Sequence, residues 1–226
     1  MPQDLNIMRN KRPEKREFMY IPKYFAIQDE EMKYEIMEQN SFATLFSQHN
    51  GEPYATHLPL LLNRETLTLH GHFARPNEQW KDIGTQQVLA IFQGPHSYIS
   101  PSWYETNNAV PTWNYVAVHV YGELEIVEDE QELIDSLQEL VHKYEDPESA
   151  YSLNDVDPNY IAGLSKGIVG FKVKINKIEG KAKLSQNHSV ERRKLVVEKL
   201  EKVGSEESRA IAGLMRKESL LERETF

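Results

Sequence analysis

Apolar and polar residues alternate in several separate runs over the first 180 positions, and helical spacing takes over at the margins. Residues 66–72 alternate with period two, which puts Thr66, Thr68, His70 and His72 on one face of a strand and Leu67 and Leu69 on the other. Upstream, Phe42, Thr44 and Phe46 alternate with Ala43 and Leu45 across 41–48. The Asn50-Gly51 pair that follows predicts a tight hairpin, and 54–62 forms the returning strand. A turn at Asn63-Arg64-Glu65 leads into 66–73, so three antiparallel strands form a meander. Val88 to Phe92 is continuously apolar and reads as a strand buried on both faces. Over 116–127, Val116, Val118, Val120, Gly122, Leu124 and Ile126 oppose Ala117, His119, Tyr121, Glu123 and Glu125. The last strand, 167–178, turns Val169, Phe171, Val173 and Ile175 inward and Lys172, Lys174 and Asn176 outward.

Helical spacing appears at 29–40, through Met32, Ile36 and Met37, and most clearly at 130–144, through Leu133, Ile134, Leu137, Leu140 and Val141. Beyond 186 the chain is helical and charged, with Val190, Val196, Val197, Leu200 and Val203 in one helix. Ile211, Leu214 and Met215 lie in a second, at about 206–217. The sum is a mainly β chain with flanking helices (α+β). Six or so antiparallel strands at short spacing favour a closed barrel over an open sheet.

Composition narrows the setting. The chain has 226 residues, 39% hydrophobic and 27% charged, which suits one globular domain with an appendage. Residues 1–18 read as a flexible extension, 19–186 as the barrel and 187–226 as a helical appendage. No apolar run approaches the ~18 residues of a membrane helix, and the polar N-terminus carries no secretory pattern. The absence of cysteine excludes disulfides and thiolate chemistry. A cytoplasmic setting is the default. The net charge of −9 argues against broad DNA binding, which needs a basic face. Residues 181–203, with seven Lys/Arg against three Glu, are the one local patch where DNA could be touched.

Chemistry concentrates at 70–80. There a strand ends, Pro76 suits the first turn of a helix and Gly84 its stop. Free backbone N–H groups at such an end attract anions. Arg75 brings a fork that fits phosphate oxygens, and His72 and Asn77 add donors. Residues 94–115 read as a Pro-pinned loop rich in aromatics (Tyr98, Trp103, Tyr104, Trp113, Tyr115), fit to cover a flat ligand or to form a subunit interface. His70 and His72 share a face, yet no third ligand accompanies them and no metal is expected. The polar run Lys181 to His188 follows the last strand and suits an anion or equally a plain linker. No nucleophile elbow, Gly-rich phosphate loop or H-E-x-x-H is present, so nothing reads as a hydrolase or kinase. No catalytic acid or base stands out.

Several stretches together resemble the PaiB family of bacterial proteins, described as negative regulators of protease synthesis and sporulation. They are Met19 to Phe25, His72 to Trp80, Gly94-Pro95-His96-Ser97-Tyr98-Ile99-Ser100-Pro101-Ser102-Trp103-Tyr104, Val110-Pro111-Thr112-Trp113-Asn114-Tyr115, and Lys183-Leu184-Ser185-Gln186-Asn187. The resemblance implies a six-stranded split β-barrel of the FMN-binding type, paired as a homodimer with flavin at the interface. By position it implies a phosphate site at Thr56, His57, His72, Arg75 and Asn77, and an isoalloxazine near Trp113, Tyr115 and Lys183. The strand 56–61, Thr-His-Leu-Pro-Leu-Leu, departs from the Arg-x-Val-Leu-Leu-Lys of the related oxidases and lacks both of its cations. The expected function is a regulator of protease production and sporulation built on an FMN-binding barrel. A flavin-dependent oxidoreductase is the alternative.

Overall fold

The computed structural model describes residues 18–105 and 108–224; the expected extension, all but Phe18, lies outside them. Seven strands make one antiparallel sheet: β1 (Phe42–His49), β2 (Glu52–Pro59), β3 (Leu61–Asn63), β4 (Thr68–Ala74), β5 (Gln87–Ile99), β6 (Thr112–Ile126) and β7 (Ile168–Lys183). Their order is β2-β1-β5-β6-β7-β4-β3. The two outermost strands, β2 and β3, are neighbours in the chain, separated by Leu60 alone. Pro59 has no N–H to give, and Leu60 N donates to Ser41 O at 2.8 Å, so the run bends here and leaves one sheet partner for another. The sheet therefore curls back on itself as a split barrel. The six strands read from sequence become seven because the single run 54–62 is broken at this corner.

Alternation sets which face is filled. Ala43, Leu45, Val88, Ala90, Phe92, Val118, Val120, Phe171 and Val173 are buried in one core, with Phe73 and Phe171 at 4.6 Å between ring centroids. Asn50 (φ 53°) and Gly51 (φ 80°) both take the left-handed conformation that a two-residue hairpin demands.

Two strands outrun the expected boundaries. β5 continues through Gly94 and Pro95 to Ile99 because a register shift between Gln93 and His96 absorbs the proline, which a bulge tolerates and a regular ladder does not. Both ends of the expected aromatic loop, 94–99 and 112–115, are thus strand, with Tyr98 opposite Trp113. β7 runs five residues past Ile178. Gly180 reads as a break, yet it is a close approach: a Cβ there would stand 3.0 Å from Ile27 and from Lys33. Lys181 and Lys183 are consequently strand residues, opposite Ala117 and Tyr115.

The helices are α1 (Glu30–Gln39), α2 (Glu130–Tyr144), α3 (Pro158–Ser165), α4 (Val190–Val203) and α5 (Glu206–Glu224). Asp29 and Asp129 cap α1 and α2 by accepting from Glu31 N and Glu132 N. Gly204 at φ 72° ends α4. The α4–α5 pair shares the barrel core through Val196, Val197, Leu200, Ile211, Ala212 and Met215. No helix among the described residues is long and apolar enough to cross a membrane.

Candidate functional site

The expected phosphate turn is real as a turn but is not the start of an α-helix. Pro76 precedes a four-residue 3-10 turn, Glu78–Lys81, capped by Asn77, whose side chain accepts from Gln79 N at 2.9 Å. Its polar groups mostly serve one another. Thr56 Oγ1 donates to Gln79 Oε1 (2.5 Å) and accepts from Asn77 Nδ2 (2.9 Å). Gln79, fully buried, donates to Leu45 O (3.1 Å) and Ser47 Oγ (2.9 Å), which pins the turn to the barrel end. Gln79 is a residue that sequence reasoning missed, since a glutamine in a polar segment reads as surface. Strand periodicity separates the other two residues. Thr56 faces this network, whereas His57, one position on, is exposed and stacks its ring near Phe42 at 6.4 Å.

Arg75 is held from the main chain. Its Nε donates to Lys166 O and its Nη2 to Ile168 O, both at 2.6 Å, so the guanidinium ties the end of β4 to the start of β7. Two of its five N–H donors are thereby engaged and three remain. No carboxylate pairs with it among the described residues. His72 is half-buried opposite Gly170, where Leu133 of α2 stands so close that a Cβ would meet it at 2.6 Å. That burial pushes the His72 pKa down from its ordinary 6.5.

Trp113, Tyr115 and Lys183 assemble at the other end of β7. Lys183 Nζ donates to Trp113 O at 2.7 Å and to Thr112 Oγ1, and Tyr115 is its cross-strand neighbour. Lys181, on the same face, donates to Tyr20 O (2.9 Å) and lies 5.3 Å from the centre of the Tyr115 ring. Burial first, and the neighbouring Lys181 charge second, push the Lys183 pKa below 10.5. Neither ammonium has a carboxylate partner among the described residues. Lys181 read as part of a polar run that suits an anion or a linker, and its place in the strand beside Lys183 was missed because the strand seemed to stop at Ile178.

The eight expected residues therefore fall into two groups. Thr56, His57, His72, Arg75 and Asn77 lie by the start of β7, and Trp113, Tyr115 and Lys183 by its end. Fifteen residue steps separate Ile168 from Lys183, roughly 50 Å of strand contour, so the two groups belong to opposite ends of that strand. Each group still suits part of such a ligand: Arg75 carries uncompensated charge and free donors, and the lysine pair stands beside aromatic rings.

The basic patch is smaller than it reads. Of its seven cations Lys181 and Arg193 are buried, Lys183 is half-buried, and Arg193 pairs with Glu218 at 2.6 Å.

Three histidines carry a pH prediction. His72, His119 and His188 all have pKa values lowered, chiefly by burial. A histidine whose folded pKa lies below the unfolded 6.5 keeps its full contribution above that value. It loses it as pH falls through the folded pKa, because the unfolded chain binds more protons. Melting temperature should therefore fall between pH 7 and 5, before the carboxylates that pair in the fold begin to titrate. The triple variant His72→Gln/His119→Gln/His188→Gln should flatten that slope, as followed by circular dichroism.

Comparison with known proteins places this geometry in a family. A family model described as "Putative FMN-binding domain" matches residues 19–177. Protease synthase and sporulation protein PAI 2 of Bacillus subtilis (strain 168) is 41% identical over 201 residues, covering 87% of this chain and 96% of that protein. The chain belongs to the PaiB family of FMN-binding domains. FMN is the cofactor for which the family is named. Solved structures extend the likeness to the fold. The flavocytochrome Anf3 of Azotobacter vinelandii superposes with TM-score 0.57 at 18% identity, covering 72% of each chain. The FAD and heme binding protein of Mycobacterium smegmatis gives TM-score 0.51 at 11% identity, covering 74% of this chain and 78% of that one. In this chain the two cationic groups sit at opposite ends of β7, and Thr56, Asn77 and Gln79 bond one another.

Proposed function

We propose that this chain is a homodimeric FMN-binding regulator of protease production and sporulation, with each flavin shared between two copies. In this reading Arg75 and His57 of one copy take the phosphate. Lys181, Lys183, Trp113 and Tyr115 of the second copy face the ring system. The observation that carries it is the separation of the two cationic groups along β7, which a flavin shared between two copies would bridge. The outer wall beside His57 supports the pairing, since it presents Phe42 at 69% exposure and Phe46 at 37%. Positive charge near the pyrimidine side of a flavin tunes its electronics, which is what a lysine pair supplies.

Subunit mixing tests the arrangement. Arg75→Ala and Lys183→Met should each weaken FMN binding about 10- to 150-fold, the worth of one charge-assisted contact. Unfolded together and refolded as a 1:1 mixture, the two variants should recover strong binding at about a quarter of the sites, since half the dimers are mixed and each holds one intact site. Quenching of flavin fluorescence reads this directly. No recovery on mixing would place both groups' roles within one chain and end the shared-site reading. The regulatory half is tested by deleting the gene and measuring secreted protease, which should rise, and by restoring it with the Arg75→Ala variant, which should not lower it again.

A further inference from the structure

A second recess lies at the mouth of the barrel, below the end of β7, with a volume of about 340 Å³. That is near the small end of the range for ligand sites, too small for a flavin and ample for a small metabolite. Its floor is polar and closed to water. Tyr104 and Ser185 are each 2% exposed and Asn114 is fully buried. Ser185 Oγ lies 2.8 Å from Tyr104 Oη and 3.0 Å from Asn114 Nδ2. Three buried polar side chains that converge on a cavity wall are costly to keep unless each is satisfied, and here they satisfy one another.

The backbone at this wall is also unusual. Ser185 has φ 64°, a left-handed conformation that a non-glycine residue adopts only at an energetic cost. Such strain collects where a side chain must be presented in one place. A glycine would relieve it, but would remove the hydroxyl that joins Tyr104 to Asn114.

The rim carries one sign of charge. Lys183 and His188 line the recess, and His188 stacks on the floor tyrosine at 4.2 Å between ring centroids. No carboxylate lines it among the described residues. The His188 pKa is lowered by burial and by the positive charges of Arg192 and Lys183, so two cationic groups act on this point. In a chain of net charge −9, such a concentration is directed.

We propose that this recess binds a small organic oxyanion, a carboxylate or a phosphate ester, as a second ligand beside the flavin. Lys183 supplies the charge, His188 a donor, and the Tyr104–Ser185–Asn114 cluster forms the fixed wall against which the ligand rests. The site shares Lys183 with the flavin reading and rests on that reading for nothing else. An anion here would draw on the same ammonium that faces the isoalloxazine, so occupancy would alter flavin affinity.

The test uses the full-length flavin-free protein and follows the His188 ring signals by NMR, assigned with His188→Asn. Inorganic phosphate and lactate are titrated separately against chloride at matched ionic strength. A saturable shift of the His188 signals with either anion, lost at least tenfold in both Lys183→Met and Ser185→Gly, supports the site, and the anion that acts names the ligand class. Glycine accepts φ 64° without strain, so Ser185→Gly should fold, which thermal melting checks. If neither anion moves the signals beyond chloride, or if both variants bind as the parent does, the proposal is overturned. FMN binding by the same samples is read independently from flavin fluorescence. Failure of flavin binding with the anion response intact would sink only the flavin reading, and the converse only this one.

Discussion

Replacing Gly122 with valine is expected to leave no cooperatively folded barrel. Gly122 sits in β6 at the register shift that follows Tyr121, against the middle of β7. A Cβ built there would stand 2.4 Å from Lys174 O, 2.6 Å from Val173 Cγ1 and 3.1 Å from the Lys174 carbonyl carbon. Two of those three atoms are main chain and cannot swing aside. Relief would require β6 and β7 to part along the longest seam in the sheet. Overpacking of this kind costs about 1–3 kcal/mol when side chains can adjust, and more when they cannot. For Gly122→Ala we expect a loss of about 3 kcal/mol, a fall in Tm of roughly 6–12 °C for a chain of this size. Against a total stability of about 5–15 kcal/mol, the larger valine exceeds what the fold can absorb. Gly163→Ala and Gly213→Ala make the comparison sharp. Both glycines lie in helices with nothing within 4 Å of a new Cβ, so alanine there should raise Tm slightly through helix propensity. A Gly122→Ala melt equal to the parent's would show that the seam is more pliable than its geometry allows.

Glu218→Ala should loosen the C-terminal helices from the barrel at a cost of about 1.5–3 kcal/mol, the worth of a charge-assisted hydrogen bond. Its partner Arg193 has a side chain only 3% exposed, while Glu218 remains 26% exposed. Removing the carboxylate takes a 2.6 Å ion pair from a guanidinium in the core of the α4–α5 contact. The pair itself is not the source of stability, because two charges were desolvated to make it. The double variant Arg193→Met/Glu218→Leu should therefore recover most of the loss. Urea melts of the three proteins, with trypsin cleavage inside α5 as a second readout, distinguish a broken pair from a dispensable one. Equal cleavage of parent and Glu218→Ala would deny the pair any role in docking these helices.

How far the fold can be read from the residues depends on the range of the forces involved. The hairpin at Asn50-Gly51, the Asp129-capped helix from Glu130 to Tyr144 and the alternation through Val116, Val118 and Val120 are local, and each was legible. Strand ends were not. Pro95 and Gly180 look like terminators in one dimension. In three, a bulge accommodates the first, and the packing of Ile27 and Lys33 demands the second. The corner at Pro59 and Leu60 was also hidden, because the hydrophobic run is continuous across it. At the candidate site, the identity of Arg75 and Lys183 was legible as chemistry. Their separation was not, because distance along β7 depends on where that strand ends. Gln79 and Ser185 fall inside stretches the sequence singled out, but their roles were hidden: one owes its role to burial and the other to a backbone angle.

β7 is the final strand in the chain, and it joins β6, β4 and the segment at Ala26. Thr68 must wait for Lys174 to find its partner. During synthesis the two early hairpins emerge and zip while the ribosome still has over a hundred residues to add. Until Lys183 clears the exit tunnel, β4 and β6 each hold an open edge of the sort that recruits other chains. A message cut short after α3 would yield a sticky half-cylinder, so the stretch that carries β7 decides between product and aggregate.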